Sequence, residues 1–474
     1  MKKLLVFPSK KTSRHFEKNI KAKEFEILNH SIYSEFLMLC ERENTNKAFN
    51  EKLLLTCSSK FLDFFQKTWK THQFLILRWE LNFNSFVQKN DEFLLEALNC
   101  VNYLQGNKIS RAIFFTPLIH HRHTMLVDAA CAFLEIPRIY LYPNQVDGFL
   151  LPLIINSGGI ENRSFVSLSN PRTNVSLDKF IERCQKSLKP QSYERDNLEI
   201  NFYQSISFAL IFCIYRHCKS LMTKSPMMKY YNRLGLLSDV YLLAQQRKFA
   251  TKFKRLQKEE IEEIDVWSSL VIAAHTQPEA STVPEGGSIR THYEVVVALR
   301  EKGFKGQIYY KEHPASLRFF DKYVGPTRSG QYRYPQYIDF LINSGVKFLS
   351  AKSKLYFDRE AISPVVVTMT GTIALERALL GLRTIVTGHP WFRECPGIVQ
   401  LRELDFYDSG IVPEDWFRAD PKIAAQAKVF VERILLECSF PNPEGIGNLH
   451  PYEDSDANAS FLSAIEDLLM ADNK

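Results

Sequence analysis

Apolar positions along this chain alternate between short continuous runs and helical stripes. Residues 112–116 (AIFFT) form an unbroken apolar run, the mark of a parallel strand buried on both faces. Pro117 and a polar loop follow. Residues 125–134 then put Met125, Ala129, Ala132 and Phe133 on one helix face, and residues 138–142 (RIYLY) give the next strand. This is a strand–loop–helix–strand unit. Upstream, the opening run that ends at Pro8 reads as a first strand, 36–40 and 93–104 as helical, and 74–77 as a strand. Downstream, residues 150–200 are rich in Ser, Asn, Pro and charge; they read as loops with a helix near 177–188. Residues 200–264 read as largely helical. Their last part, 247–264, runs basic then acidic, with Arg255–Glu259 and Lys258–Glu262 at i,i+4, as in a solvated connecting helix.

A second series begins near Trp267. Strands are expected at 269–274, 306–310, 346–349, 364–368 and 383–387, with helices at 293–302, 337–343 and 374–380 and a tail helix at 457–470. Alternation at this spacing implies parallel sheets with right-handed crossovers. The expectation is an α/β chain with an N-terminal Rossmann-like lobe (1–200), a helical connector (201–265), a C-terminal Rossmann-like lobe (266–452) and a C-terminal helix (453–474), the sheets facing across a cleft. Ligands of such sheets sit at the carboxyl ends of the strands, and every unusual loop below follows an expected strand.

Composition narrows the picture. The chain has 474 residues with 45% hydrophobic and 24% charged, which suits a folded protein and not a disordered one. The net charge of +7 comes without a compact basic block interleaved with aromatics, so nucleic acid is not an expected partner. The excess suits anionic donors or an anionic membrane surface. Nine scattered Cys without a C-x-x-C pair point to a reducing compartment, away from disulfides and structural zinc. The run before Pro8 is too short for a signal peptide, and no stretch reaches the ~20 apolar residues of a membrane span. The richest window, 206–215, precedes Arg216, His217 and Lys219 and reads as a buried helix, with an interfacial one as the alternative.

Several loops carry candidate chemistry. In 365–376 (VVVTMTGTIALE) a strand ends, Thr370-Gly371-Thr372 turns, and a helix opens; hydroxyls, close backbone approach at Gly and a helix start suit a phosphate, and helix capping is the alternative. No Gly-rich dinucleotide or P-loop motif accompanies it. Lys311-Glu312-His313-Pro314 follows the strand GQIYY, where His313 can donate to a phosphate or protonate a leaving group. Gln277-Pro278-Glu279 puts a carboxylate at another strand tip, as a base or a nucleophile at an anomeric carbon. In the first lobe His120, His121 and Arg122 follow AIFFT and read as acceptor-side contacts; no Cys or acid sits at metal-ligand spacing beside them. Asp128 and Asp147 are further acid/base candidates, and residues 388–392 (GHPWF) follow the strand RTIVT.

The order of these pieces, Gln-Pro-Glu, Lys-x-His-Pro, Thr-Gly-Thr with Glu376 four residues on, and a Gly-x-x-x-Phe turn before Pro396-Gly397-Ile398, resembles bacterial capsule and surface-polysaccharide proteins of the Kdo-transferase type over residues 267–404. Lys311–Pro314 is also similar to the Lys-Gly-His-Pro motif of GT-B bacterial sialyltransferases. The resemblance implies a GT-B fold. It implies a metal-independent glycosyltransferase that moves Kdo or a nonulosonic acid from its CMP form to a surface glycan or glycolipid. No cofactor is implied, since the CMP-sugar is a substrate. It further implies that His313 contacts the CMP phosphate beside Thr370, Gly371 and Thr372, and that Glu376 or Glu312 reaches the ribose or base. The acidic sialyltransferase motif is reduced here to Val146-Asp147-Gly148, so Glu279 ranks first as catalytic carboxylate, ahead of Asp147 and Asp128. The expected location is the cytoplasm, with peripheral contact at the inner face of the membrane. A UDP- or GDP-hexose transferase and a non-catalytic polysaccharide-assembly protein are the alternatives.

Overall fold

The computed structural model describes residues 2–7, 25–29, 59–77, 83–114, 122–143, 149–156, 162–168, 202–222, 235–257, 265–275, 285–317, 332–351 and 362–441, with short pieces near 177–182, 319–326 and 460–468. The chain divides into two compact units, Met1–Leu177 with Glu432–Lys474, and Asp178–Val431. This differs from lobes laid end to end. The helices expected as a connector belong to the second unit, and the C-terminal segment returns to the first.

The first unit contains strands β1 (Lys2–Phe7), β2 (Phe25–Asn29), β3 (Ile109–Phe114), β4 (Arg138–Pro143), β5 (Phe149–Ile155) and β6 (Ser164–Phe165), with helices α1 (Ser59–Leu77), α2 (Phe83–Gly106) and α3 (Arg122–Phe133). Strands β2, β1, β3 and β4 run parallel in that spatial order; β5, β6 and a late strand at Phe440–Pro441 add an antiparallel edge. Two readings change here. Residues 74–77, expected as a strand, finish α1; a four-residue apolar run fits a helix turn as well as a strand. Residues 149–155, expected as loop, form β5. Pro152 has no N–H to donate, yet its carbonyl accepts from the Val166 N–H at 3.2 Å. Phe61, Phe65, Phe93 and Phe133 pack edge-on or tilted against one another between the helices, which is where part of the high aromatic content goes. Arg111 on β3 donates to the Leu468 carbonyl at 2.6 Å and ties the tail to the sheet.

The second unit contains helices α4 (Phe202–Met222) and α5 (Gly235–Leu256). Then come β7 (Ser269–Ala273), α6 (His292–Glu301), β8 (Gln307–Lys311), a two-stranded ribbon of β9 (Phe320–Asp321) and β10 (Gly325–Pro326), α7 (Pro335–Asn343), β11 (Lys347–Leu349), β12 (Val365–Thr368), α8 (Ile373–Leu379), β13 (Thr384–Val386), β14 (Ile398–Gln400) and α9 (Pro421–Cys438). The boundary between the units falls inside α9, whose far end leads to β15 (Phe440–Pro441) in the first sheet. The second sheet has the order β11-β8-β7-β12-β13-β14, all parallel. Counting its strands along the chain gives 3-2-1-4-5-6, the doubly wound dinucleotide-fold order, with its switch point between β7 and β12.

Both faces of this sheet are buried, as the unbroken apolar runs require. Leu270, Ile272, Val365 and Val367 point into one core, and their neighbours Val271, Ala273 and Val366 into the other. Helix α5 is part of that packing and is not a solvated connector. Phe249 and Phe253 are fully buried, and the Phe253 ring lies 5.9 Å from that of Phe348. The acidic half of the expected connector, 258–264, lies outside the described residues.

Candidate functional site

The loops that follow β8, β7, β12 and β13 converge at the carboxyl edge of the second sheet, on either side of its switch point. His275, just past β7, is the hub. The Thr370 N–H donates to His275 Nε2 at 3.3 Å, and the same nitrogen lies 2.9 Å from Thr368 Oγ1. An amide can only donate, so Nε2 carries the lone pair and the imidazole is neutral. The chain after β13 continues the ladder: the Gly388 N–H donates to the Met369 carbonyl at 2.9 Å, and the His389 N–H to the Glu285 carbonyl at 2.7 Å. The end of the long loop after β7 is thereby tied to the loops after β12 and β13.

Gly371 is required by this convergence. A Cβ there would stand 2.7 Å from Thr368 Oγ1 and 3.3 Å from the His275 ring. Thr372 occupies the N-cap position of α8 with no side-chain capping bond, so that hydroxyl is not used to close the helix. Arg377, fully buried on α8, donates to Ser363 Oγ, the Pro364 carbonyl and Thr384 Oγ1 at 2.8–3.0 Å. It clamps the helix across the amino ends of β12 and β13 and so fixes the Thr-Gly-Thr turn from below.

His313 leaves β8 beside the same edge. Its N–H donates to Glu312 Oε1 at 2.9 Å, and its carbonyl accepts from the Ser316 N–H at 2.9 Å, closing a short turn that starts at Pro314. Glu312 is not placed to touch a ribose or base. It is fully buried, and Oε2 accepts from Arg333 Nε at 2.6 Å and from the Tyr310 hydroxyl at 2.7 Å. Arg333 Nη2 also reaches Glu312 Oε1 at 3.3 Å and the His275 carbonyl at 3.0 Å, joining the ends of β7 and β8. Burial pulls the Arg333 guanidinium down, but the Glu312 carboxylate more than offsets this and holds it above its ordinary value. Burial likewise lifts the Tyr310 phenol well above its usual range.

His292 completes the network. Thr291-His292-Tyr293-Glu294 is a capping box: the Glu294 N–H donates to Thr291 Oγ1 and the Thr291 N–H to Glu294 Oε2. The box fixes the buried His292 at the first turn of α6, where Nε2 accepts the His275 N–H at 2.9 Å. The remaining proton is therefore on Nδ1, and the 3.4 Å approach of Arg333 to that atom is a contact, not a hydrogen bond.

Burial, with the charges of His313 and Arg333 behind it, pushes His275 down to about 3, and burial lowers His292 in the same direction. Both imidazoles titrate near 6.5 when unfolded, so below that pH the unfolded chain binds more protons than the folded one. Stability is full above pH ~6.5 and falls below it by about 1.4 kcal/mol per unit for each His that stays neutral, for His275 down to about 3. Melting curves between pH ~7.5 and ~5 should show this decline, with a shallower slope in His275→Gln. A melting point independent of pH across that window contradicts neutral burial.

The other candidates divide. Lys311, half-buried at the end of β8, lies on this edge, and Glu376 sits in the first turn of α8. Asp128 in the first unit is held by Arg138 Nη1 at 3.2 Å and by the Tyr140 hydroxyl, an arrangement that fixes α3 against β4 and not one that offers a free base. Gln277, Glu279, Asp147, His120, His121 and the Arg122 side chain lie outside the described residues. Sequence reasoning missed His275, His292 and Arg333. The Thr-x-x-Glu capping box was the available signal for His292; nothing in the sequence marks Arg333.

No protein-family model and no curated protein matches the chain. Among solved structures it is similar to Thermosulfurimonas dismutans KpsC, a beta Kdo 2,7 transferase, at 12% identity over 78% of this chain and 89% of that one, with a TM-score of 0.31. It is also similar to the UDP-N-acetylglucosamine 2-epimerase of Rickettsia bellii, at 12% identity over 99% and 95% of the two chains and a TM-score of 0.19. The Neisseria meningitidis UDP-GlcNAc 2-epimerase bound to UDP-GlcNAc is 10% identical over 92% and 100%, with a TM-score of 0.18. At these TM-scores the fold assignment rests on the strand order, and the chain is an α/β protein with two units, the second a fully parallel doubly wound sheet.

Proposed function

We propose that the chain is a GT-B-type glycosyltransferase that takes a 3-deoxy-ulosonic acid, Kdo or a nonulosonic acid, from its CMP form to a glycan or glycolipid acceptor. One observation carries the reading: His313, just past β8, and the Thr370-Gly371-Thr372 turn, just past β12, lie at the carboxyl edge on either side of β7 and its His275, at the switch point of a 3-2-1-4-5-6 sheet, where such sheets bind nucleotides. In this reading the hydroxyls and the close backbone at Gly371 hold the CMP phosphate. Lys311, Gln277 and Glu376 surround the nucleotide. His313 donates to the phosphate as it leaves the anomeric carbon, where charge develops in an oxocarbenium-like transition state. A carboxylate, Glu279 ahead of Asp147, activates the acceptor hydroxyl or attacks the sugar. Protein groups hold the phosphate, so no cofactor is part of the scheme.

The neutral state of His275 and His292 favours an anionic ligand less than two imidazolium ions would, which leaves His313, Lys311 and hydroxyl donors as the groups to neutralise one phosphate. That suits a nucleoside monophosphate better than a diphosphate. The test is a donor-hydrolysis panel of CMP-Kdo, a CMP-nonulosonic acid, UDP-hexoses and GDP-hexoses. Release of CMP alone is the expected result; release of UDP or GDP assigns the site to a hexose donor, and nucleotide binding without turnover of any donor assigns the chain to assembly.

A further inference from the structure

The turn that carries His313 is held from more than one side, and one of the holds comes from α5. Along that helix Leu243, Gln246, Ala250 and Phe253 fall at i, i+3, i+7 and i+10, one stripe turned to the interior, and all are buried. Gln246 is the polar member of this stripe and has no solvent exposure. An amide in such a place costs stability unless it is hydrogen-bonded. Its Nε2 donates to the Ser316 carbonyl at 3.1 Å, across 70 positions of sequence. Ser316, also fully buried, closes the turn by donating its N–H to the His313 carbonyl. Just beyond, Leu317 and Phe319 pack into the seam that Ala209 and Cys213 of α4 form with Leu243 and Ala250 of α5. Before the turn, Glu312, clamped by Arg333, accepts the His313 N–H.

Glu312, Gln246 and Ser316 are fully buried, whereas His313 among them is half-buried. The backbone on both sides of the imidazole is thus fixed in the interior, while the residue itself reaches the carboxyl edge where such sheets bind ligands. A core that needed only filling would be served by Leu or Met at 246. The amide instead selects one carbonyl of this turn, because a hydrogen bond is directional and apolar packing is not. We infer that Gln246 is a positioning residue for His313: its bond fixes where the turn sits on α5, and with it the distance from the imidazole to the leaving phosphate. This role rests on the reading of His313 as the phosphate donor. A shift of ~1 Å in a reacting group can lower a rate about a hundredfold. Since Glu312 and the α4–α5 seam still hold the turn when the amide is removed, a loss of about tenfold or more is expected.

The experiment is a double-variant cycle on the full chain, with Gln246→Met, His313→Ala and the two combined. The readout is CMP release from CMP-Kdo or a CMP-nonulosonic acid, whichever the wild type turns over, well below every melting point. Gln246→Met should lower kcat about tenfold or more in the wild type, and less than about twofold on top of His313→Ala, because both changes act through one imidazole. The dissociation constant for CMP should stay within about threefold of the wild type. Phe304→Leu is the stability control: it loosens the core against Phe406 ahead of β8, at the opposite end of the sheet, and should lower the melting point without lowering kcat. Gln246→Asn draws the donor back by one carbon; it should give the same pattern at lower amplitude, and it decides the question if Gln246→Met does not fold. Equal fold-losses from the 246 substitution in both backgrounds, with His313→Ala itself slow, overturn the positioning role and leave the donor reading standing. So does a loss of kcat in Phe304→Leu as large as that in Gln246→Met. Full turnover in His313→Ala, or no release from either donor by the wild type, overturns the donor reading and the positioning role with it.

Discussion

Arg333→Met is expected to destabilise the second unit by about 3–5 kcal/mol, because it leaves the Glu312 carboxylate buried without a counter-charge. The pair has zero solvent exposure on both sides, unlike the exposed ion pairs such as Arg418–Glu414, whose loss should cost under about 1 kcal/mol. The effect should appear as a fall in melting temperature of roughly 10 °C. Adding Glu312→Gln should recover much of it, since an amide removes the charge, its oxygen can still accept from the His313 N–H, and its amino group can donate to the Tyr310 hydroxyl. The same double variant should still lose ligand binding, because Arg333 also holds the His275 carbonyl and so the spacing between the ends of β7 and β8. A cost below about 1 kcal/mol for Arg333→Met would mean that water reaches Glu312 and that the network is not the rigid base of the site.

His313→Ala is expected to lower turnover by about a hundredfold or more while leaving the fold intact. Two bonds that position this residue are made by its backbone, the N–H to Glu312 and the carbonyl from Ser316, and alanine keeps both. His313→Asn, which retains a donor, should recover part of the rate, and the melting point should stay close to that of the wild type in both. An unchanged turnover removes His313 from the mechanism; a large drop in melting point reassigns it to structure.

The strands of the second sheet were legible because a strand buried on both faces leaves an unbroken apolar run. Residues 269–274, 306–310 and 364–368 were each placed within a residue or two of the strands they form. The Thr370–Thr372 turn and His313 were legible for the same reason, as the first polar residues after such runs. The base of the site was not. Arg333 and Glu312 lie 21 positions apart, and a buried Arg between Tyr332 and Tyr334 looks like any charged loop residue until the fold brings a carboxylate to it. Glu312 itself, next to His313, was read as a ligand contact because sequence adjacency does not reveal which way a side chain turns at a strand end. Strand β5 was hidden by Pro152, and the return of α9 and β15 to the first sheet is a long-range pairing with no local signature.

The central claim is that the carboxyl edge of the second sheet binds a cytidine monophosphate group without metal. The direct measurement is thermal stabilisation of the full chain by CMP, CDP, UDP and GDP in parallel, with EDTA present, repeated on Gly371→Val. A ligand that binds only the folded state at a hundred times its dissociation constant should add about 2.7 kcal/mol. The account predicts that CMP raises the melting point most, and that the effect vanishes in Gly371→Val, whose side chain would press against Thr368 and His275. Stabilisation by UDP or GDP in preference to CMP, or by none of the four, would contradict it.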